Sequence, residues 1–503
     1  MTPVVLQDAD HYAQQLETQG AVIAAFDHRR ADIARQLQRA AAPLGLTPID
    51  DDALLDEVTA LVERPNVLLC QFEPEFLAVP SECLILTMKA NQKYFPLLDA
   101  QGKLTNKFLV VSNIRPADAS HIVEGNQRVV RPRLADAKFF FDQDRKRTLE
   151  DRLPMLDKVV YHGELGSQRE RTRRVESIAR FIAGLSAVGA DLQTVSRAAR
   201  LAKADLVTDM VGEFPELQGV MGAYYARHDG ETPEVAAAIA EQYMPRFSGD
   251  AIPASLVGTV VAMADKLETI AGLFAIGQTP TGDKDPFALR RHAVGVLRMC
   301  IEKPIAVSLR AIVGAAMQEE TLGENARKRG NDAPSAILAF FYDRLAVMMR
   351  DENYSAQEVE AVISIQPEVI AEVPERLAAV RAFAALPESA PLAAANKRIT
   401  NILKKSESKP TEHIDPARLV EPAERMLHDA LLSIAPRADE RFNEGEYTAS
   451  LRELAALKAP VDAFFDSVMV NAEDPALRAN RLALLSRLHQ SMNRVADLSK
   501  LAT

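Results

Sequence analysis

Phe464-Phe465-Asp466-Ser467-Val468-Met469-Val470 is followed by Asn471-Ala472-Glu473-Asp474-Pro475, and then by Leu482, Leu485, Leu488 and Met492 recurring on one helical face. The middle segment has the residues of a turn and an N-cap, so the whole predicts a helix hairpin with a single apolar stripe. Its opposite face carries Arg478, Arg481 and Arg487. Reading back from there, the helical pattern holds almost to Pro116, punctuated by Pro154, Pro215, Pro245, Pro253 and Pro280. Two stretches interrupt it. Leu386 to Pro410 is rich in Pro, Ala, Ser and Lys with weak apolar periodicity, and Asn331-Asp332-Ala333-Pro334 breaks the chain again; both read as linkers or hinge loops.

Nearer the N-terminus the texture changes. Val67-Leu68-Leu69-Cys70-Gln71-Phe72, Tyr94-Phe95-Pro96-Leu97-Leu98 and Phe108-Leu109-Val110-Val111-Ser112 read as strands, with Asp99-Ala100-Gln101-Gly102 as a hairpin turn and Ser81 to Met88 as a short capped helix. Residues 7 to 64 read as a helical lead-in, in which Ala21 to Phe26, Ile33, Leu37 and Leu44 recur at helical spacing and Asp50-Asp51-Asp52 offers an N-cap before Leu54. The expected fold is therefore predominantly α and multidomain, with a small α/β region near the N-terminus. A length of 503 residues, at roughly 100 to 200 residues per domain, predicts about three or four units.

Apolar residues at 48% and charged residues at 26% are the proportions of a folded chain rather than a disordered one. Cys70, Cys83 and Cys300 are odd in number and lack C-x-x-C spacing, so neither a disulfide framework nor a cysteine-rich zinc site is indicated and a reducing compartment fits best. No basic and apolar leader opens the chain, and no window approaches about 18 apolar residues, so a cytoplasmic location is expected.

A net charge of -11 argues, as a total, against nucleic-acid binding, because phosphate contacts need Lys and Arg. The distribution argues the other way. Arg128 to Arg174 holds thirteen Lys or Arg against eight Asp or Glu, Asn396 to Lys409 holds five against one, and Arg478 to Arg494 holds four arginines and no acid.

Three constellations carry candidate chemistry. His228-Asp229 with Asp265, in Ala262-Met263-Ala264-Asp265-Lys266-Leu267, supplies three of the four ligands by which HD-type phosphohydrolases hold divalent metal. The leading His is missing, and its helix reads Ala202-Lys203-Ala204-Asp205-Leu206-Val207-Thr208. A degenerate HD-like helical domain without metal, whose His228 and Asp229 make structural hydrogen bonds or contact RNA, is the favoured reading, and a metal-dependent hydrolase of nucleotides is the alternative. Gly282-Asp283-Lys284-Asp285-Pro286-Phe287-Ala288-Leu289-Arg290-Arg291 reads as a turn into a helix capped by Asp285, with Pro286 at its first position. It is either an anion site using Arg290 and Arg291 or a turn docking two helices. In Asn126 to Phe141, basic and aromatic residues alternate; Phe139 to Phe141 read as core with Arg131, Arg133 and Lys138 projecting outward, and base stacking is the other reading. Phosphate loops, dinucleotide fingerprints, nucleophile elbows and H-E-x-x-H are all absent from the sequence.

At several of these places the chain resembles the β-subunit of the bacterial two-subunit glycyl-tRNA synthetase. The resemblance rests on Met88-Lys89-Ala90-Asn91-Gln92-Lys93-Tyr94-Phe95-Pro96, on Val129 to Phe141, on Leu217-Gln218-Gly219-Val220-Met221-Gly222 with Arg227-His228-Asp229-Gly230-Glu231, on Gly282 to Arg291, on Ala393 to Leu403 and on Phe464 to Leu485. It implies a glycine-tRNA ligase subunit that binds tRNA(Gly) in a hetero-oligomer. The partner α-subunit would bind glycine, ATP and Mg and form the adenylate, leaving this chain without catalytic residues or cofactor of its own. The C-terminal helices look like the anticodon-binding domain shared with arginyl-tRNA synthetases, whose name-giving motif Asp474-Pro475-Ala476-Leu477-Arg478 echoes. The HD-like middle resembles the family's acceptor-side RNA-holding domain.

The expected domains are then residues 1–66 (lead-in), 67–165 (mixed α/β with a basic ridge), 166–310 (HD-like), 311–385 (helical body) and 386–503 (anticodon-binding). Expected tRNA contacts are Arg128, Arg131, Arg133, Lys138, Arg290, Arg291, Asn396, Lys397, Arg398, Arg478 and Arg481, with His228, Asp229 and Asp265 as the metal-free HD remnant. The family's N-terminal Gly-Thr-Glu-Glu-Leu-Pro type motif has no match here, so the chain reads as shortened or a fragment.

Overall fold

A strand pair closed by a tight turn needs a residue to answer the turn's N–H groups, and Asp99 does so. Its carboxylate accepts from the backbone N–H of Gln101 and of Lys103, each at 2.9 Å, while Gly102 takes the positive φ of 75° that the turn requires. The computed structural model describes residues 3–6, 8–303, 305–318, 333–406 and 413–502. This turn joins β3 (Phe95–Leu98) to β4 (Leu104–Ser112) in a sheet that also contains β1 (Thr47–Pro48) and β2 (Asn66–Gln71), in the order β1-β3-β4-β2 with every pair antiparallel. Helices Phe26–Ala41 and Asp52–Leu61 cover one face, so that Ile33, Leu37, Leu54 and Val58 share a core with Phe95, Leu97 and Leu109. Asp51 caps the second helix by accepting from Leu54 N–H at 2.9 Å, as the acidic triplet predicts.

The lead-in departs from expectation over Ala21–Ala25, which is not helical. Ala21 takes a left-handed φ of 58°, and the Ile23 N–H donates to the Glu63 carbonyl at 2.9 Å, so a long-range bond outcompetes local spacing. The Ser81–Gln92 helix exists, without a side-chain cap.

Two compact units divide the chain: Met1–Leu156 with Lys203–Ala236, and Asp157–Ala202 with Ala237–Thr503. Besides the sheet, the first holds the long helix Ser120–Asp144 and the helix Val220–His228, joined through one buried carboxylate. Asp144 accepts from Tyr225 Oη at 2.8 Å, from Asp209 and Met210 N–H at 2.9 and 3.0 Å, and from the Arg152 guanidinium at 3.3 Å. Four donors offset the cost of taking that charge from water.

The second unit is organised by Leu256–Ala275, in which every residue from Val257 to Ala275 is buried. A helix apolar on nearly all sides must be surrounded. Here Gln168–Gly184, Leu192–Leu201, Leu289–Glu302, Leu309–Ala316 and Ala333–Asp351 pack around it. Ser389–Lys405, Pro422–Asn443, Tyr447–Ala455, Lys458–Ser467 and Pro475–Met492 follow. Asp474 caps the last helix by accepting from Ala476 N–H at 2.8 Å, with Pro475 next to it.

Two expectations are corrected here. The stretch read as a linker, Leu386 to Pro410, holds the helix Ser389–Lys405, which buries Leu392, Ala393, Asn396 and Ile399. Pro391 falls in its first turn, where no intrahelical N–H is needed. Residues 407–410, and Asn331 and Asp332 of the other expected break, lie outside the described residues. The terminal helix is also more than a single stripe, because Asn480, Arg481, Ala483 and Leu484 are buried along with Leu482, Leu485, Leu488 and Met492.

Arg481 meets Glu424, which is 0% exposed. Glu424→Gln should leave a buried cation without its counter-charge and cost about 3 kcal/mol. Arg478→Gln, on the exposed side of the same helix, should stay within about 0.5 kcal/mol. Thermal melts of the two variants check the contrast.

Candidate nucleic-acid interface

Helical geometry decides which residues of the basic ridge face water. In Ser120–Asp144 the buried positions are Val130, Leu134, Ala137, Phe141 and Asp144, a stripe at spacings of three and four. Arg128, Arg131 and Arg133 are consequently exposed and Lys138 half-buried. Arg131 pairs with Glu73, and Lys138 with Asp142 at 2.6 Å. The expectation that Phe139 to Phe141 form core holds only for Phe141. Phe140 is half-buried and Phe139 is 57% exposed, because three consecutive residues cannot all point to one side of a helix.

The second patch lies on Ser389–Lys405. Lys397 and Arg398 are exposed, and the Arg398 guanidinium sits 4.3 Å from the centre of the Phe465 ring. Asn396 faces the other way: it is wholly buried and exchanges amide hydrogen bonds of 2.7 and 3.1 Å with Asn493. Arg478 is exposed, whereas Arg481 is buried against Glu424 and donates to the Met469 carbonyl at 2.6 Å. Asn396 and Arg481, expected at the RNA surface, are thus used to hold helices together. Sequence reasoning missed Lys404 and Lys500, which line a cleft of about 310 Å³ with Lys397, Thr400 and Asn401. The available signal is Lys397, Asn401 and Lys404 at helical spacing within the basic run Asn396 to Lys409.

At the third place the helix begins at Leu289, and Ala288 precedes it with a φ of 55°. Pro286 therefore lies in the turn and not at the first helical position. Asp285 accepts from Leu289 and Arg290 N–H at 2.8 and 2.9 Å, so a carboxylate already occupies the position where an external anion would bind. Arg290 donates to the Gly282 carbonyl and Arg291 to the Arg246 carbonyl. This arrangement favours the helix-docking turn. Both arginines also line a groove of about 820 Å³ with Arg298, Arg344, Phe247 and Val347.

The residues expected to form an HD remnant are met by the protein's own groups. The His228 Nδ1 accepts from Arg145 Nε and Nη2 at 3.2 and 3.1 Å, and Asp229 accepts from Leu149 N–H at 2.7 Å. Burial raises the Asp229 pKa, with the Leu149 N–H opposing it. In the second unit Asp265 pairs with the Arg171 guanidinium at 3.0 Å. That guanidinium also reaches Glu268 at 2.9 Å and lies 4.6 Å from the centre of the Tyr161 ring, while Arg174 meets Glu268 at 2.8 Å. Burial works against the Arg171 cation, but Asp265 and Glu268 overcome it and raise its pKa. Asp265 is thus held against a fixed guanidinium. Among the described residues no group of three or more His, Cys, Asp or Glu is placed to hold a metal ion.

In the Ala202 to Thr208 segment, where the leading His was expected, the buried Asp205 accepts from Gly219 and Gly222 N–H at 2.5 and 3.1 Å. Burial raises its pKa to about 6, against the lowering effect of those N–H groups. A folded pKa above the unfolded one means that the native state holds the extra proton between them. Stability from Asp205 therefore falls as pH rises through that interval and levels off above about 6. Asp205→Asn, which stays neutral, should gain in melting temperature relative to the parent as pH goes from about 5 to about 7. A constant gap would contradict the buried neutral carboxyl.

Comparison with known proteins accounts for this arrangement. A profile of the family described as "Glycyl-tRNA synthetase beta subunit" matches residues 1–364, and one described as "DALR anticodon binding domain" matches residues 392–501. The glycine–tRNA ligase β subunit of Thiobacillus denitrificans is 64% identical over 503 residues, covering 99% of this chain and 71% of the relative. That of Janthinobacterium sp. is 63% identical over 502 residues, with 99% and 71% covered. That of Methylobacillus flagellatus is 61% identical over 502 residues, with 100% and 70% covered. Two profiles along most of the chain and relatives above 60% identity leave one assignment: the chain belongs to the glycyl-tRNA synthetase β-subunit family, as a subunit of glycine–tRNA ligase with an anticodon-binding domain toward its C-terminal end.

Proposed function

We propose that this chain grips tRNA(Gly) at several separated basic points and presents its acceptor end to the active site of a separate α-subunit, where ATP-dependent glycylation takes place. The carrying observation is the exposure of Arg128, Arg133, Lys397, Arg398 and Arg478 on a chain whose net charge is -11. Cations left in water can release counterions from a polynucleotide, whereas buried ones are already spent on carboxylates. The C-terminal helices hold the anticodon arm, and the ridge on Ser120–Asp144 steers toward the acceptor arm. Phosphate contacts position the RNA, and contacts to base edges supply discrimination. Arg131 and Lys138 join the ridge by exchanging an exposed carboxylate partner for a phosphate, and Arg290 and Arg291 present a further positive edge.

ATP and Mg belong to the α-subunit in this reading, and this chain works without a cofactor in a cytoplasmic hetero-oligomer. No helix among the described residues is long and apolar enough to cross a membrane. A subunit without reacting groups can still govern rate, since aligning two reactants lowers a barrier by several kcal/mol, up to roughly 7–11 in well-oriented systems.

Aminoacylation with and without added α-subunit tests the proposal, using tRNA(Gly) and an anticodon-swapped control. Charging should require both subunits and fall with the swapped anticodon; glycylation by this chain alone would reject the division of labour. Lys397→Ala with Arg398→Ala should weaken tRNA binding about tenfold and flatten the log K against log salt slope by roughly 2.

A further inference from the structure

We infer that Arg376 is a positioning residue: it locks the anticodon-binding helices to the helical body of the second unit, so that engagement of the anticodon arm is transmitted to the placement of the acceptor end. The inference rests on the tRNA-binding reading above and goes beyond it by naming what couples its contacts. Arg376 lies on the helix Val373–Ala384, in the stretch 365–391 between the two family matches, and is 7% exposed. Its Nε and Nη2 donate to Glu372 at 3.2 and 2.7 Å, and its Nη1 donates to the carbonyls of Arg494 and Val495 at 2.9 and 3.2 Å. Most of the N–H groups of the guanidinium are thereby spent, and two of the bonds reach carbonyls 118 and 119 positions away, just past the helix Pro475–Met492.

The same guanidinium lies 5.1 Å from the centre of the Phe442 ring and 4.8 Å from that of Tyr447, whose hydroxyl hydrogen-bonds to Glu372. Arg494, 4.1 Å from the centre of the Phe442 ring, reaches Asp439 at 2.5 Å and Asn443 at 3.2 Å. One buried cation thus joins the Val373–Ala384 helix to the segment after Met492 and to the helices Pro422–Asn443 and Tyr447–Ala455. A second tie runs beside it to the helix Ala356–Ile363, where the Asp497 N–H donates to the Ala361 carbonyl at 2.7 Å and Lys500 pairs with Glu360 at 3.0 Å. A planar fork between two rings specifies orientation as well as distance, which an apolar contact alone does not. Fixed spacing raises the effective concentration of one contact once another has formed, whereas a loose joint spreads it over many orientations. Arg376, being buried, supplies this coupling without touching RNA.

The test is aminoacylation kinetics of the complete αβ complex on tRNA(Gly) and on the anticodon-swapped tRNA. In the parent, the ratio of the two kcat/KM values measures how far anticodon engagement speeds charging. Arg376→Gln should lower kcat for tRNA(Gly) about tenfold with KM within about twofold and leave the swapped tRNA unchanged, so that the ratio shrinks about tenfold. Arg376→Lys, which keeps the cation, should recover part of the ratio. Tyr447→Phe, which keeps the ring and removes only the hydroxyl, should narrow the ratio about twofold, and it supplies the reading if Arg376→Gln fails to fold. Equal losses on both tRNAs would reduce Arg376 to a support of the fold and overturn the inference, as would a parental ratio in the variants at parental melting temperature. A parent complex that charges both tRNAs alike would instead sink the proposed function, and this coupling with it.

Discussion

A guanidinium withdrawn from water must meet a carboxylate, and this constraint sets two groups of the described arginines apart. Arg152, Arg171, Arg174, Arg376 and Arg481 are buried, and they meet Asp144, Asp265 with Glu268, Glu268, Glu372 and Glu424 respectively. All but Arg376–Glu372, which lie four residues apart, crosslink helices, at a desolvation cost that only good geometry offsets. Arg128, Arg133, Arg398 and Arg478 stay exposed on helices whose opposite faces are buried. The first population fixes the helical array, and the second is what the array displays.

The same sorting explains the fate of the HD motif. In the segment where the sequence lacks a leading His, the Asp205 carboxylate holds Gly219 and Gly222 at the start of the Val220–His228 helix. Arg171 neutralises Asp265, and Arg145 occupies the imidazole lone pair of His228. The result suits a glycine–tRNA ligase subunit whose family assignment rests on relatives above 60% identity.

Local patterns were legible in the sequence where the physics is local. The β3–β4 hairpin turn, the Asp51 and Asp474 caps and the long helices follow from residues within a few positions of one another. Composition misled over Ser389–Lys405, because Pro391 and a run of alanines look like a linker until the proline is placed in a first turn. Site residues were less legible, since burial of a polar side chain depends on a distant partner. Glu424 lies 57 positions from Arg481, Asn493 lies 97 from Asn396, and Arg145 lies 83 from His228. No spacing rule at helical or strand period reaches that far, so Arg478 and Arg481 looked alike.

Arginine-directed covalent labelling of the native protein, read by mass spectrometry with and without tRNA(Gly), tests this division most directly. The account predicts modification of Arg128, Arg133, Arg398 and Arg478 in the free protein and their protection by tRNA, with Arg171, Arg174 and Arg481 unmodified in both states. Equal modification of the exposed set with and without tRNA, or ready modification of Arg481 in the folded chain, would contradict it.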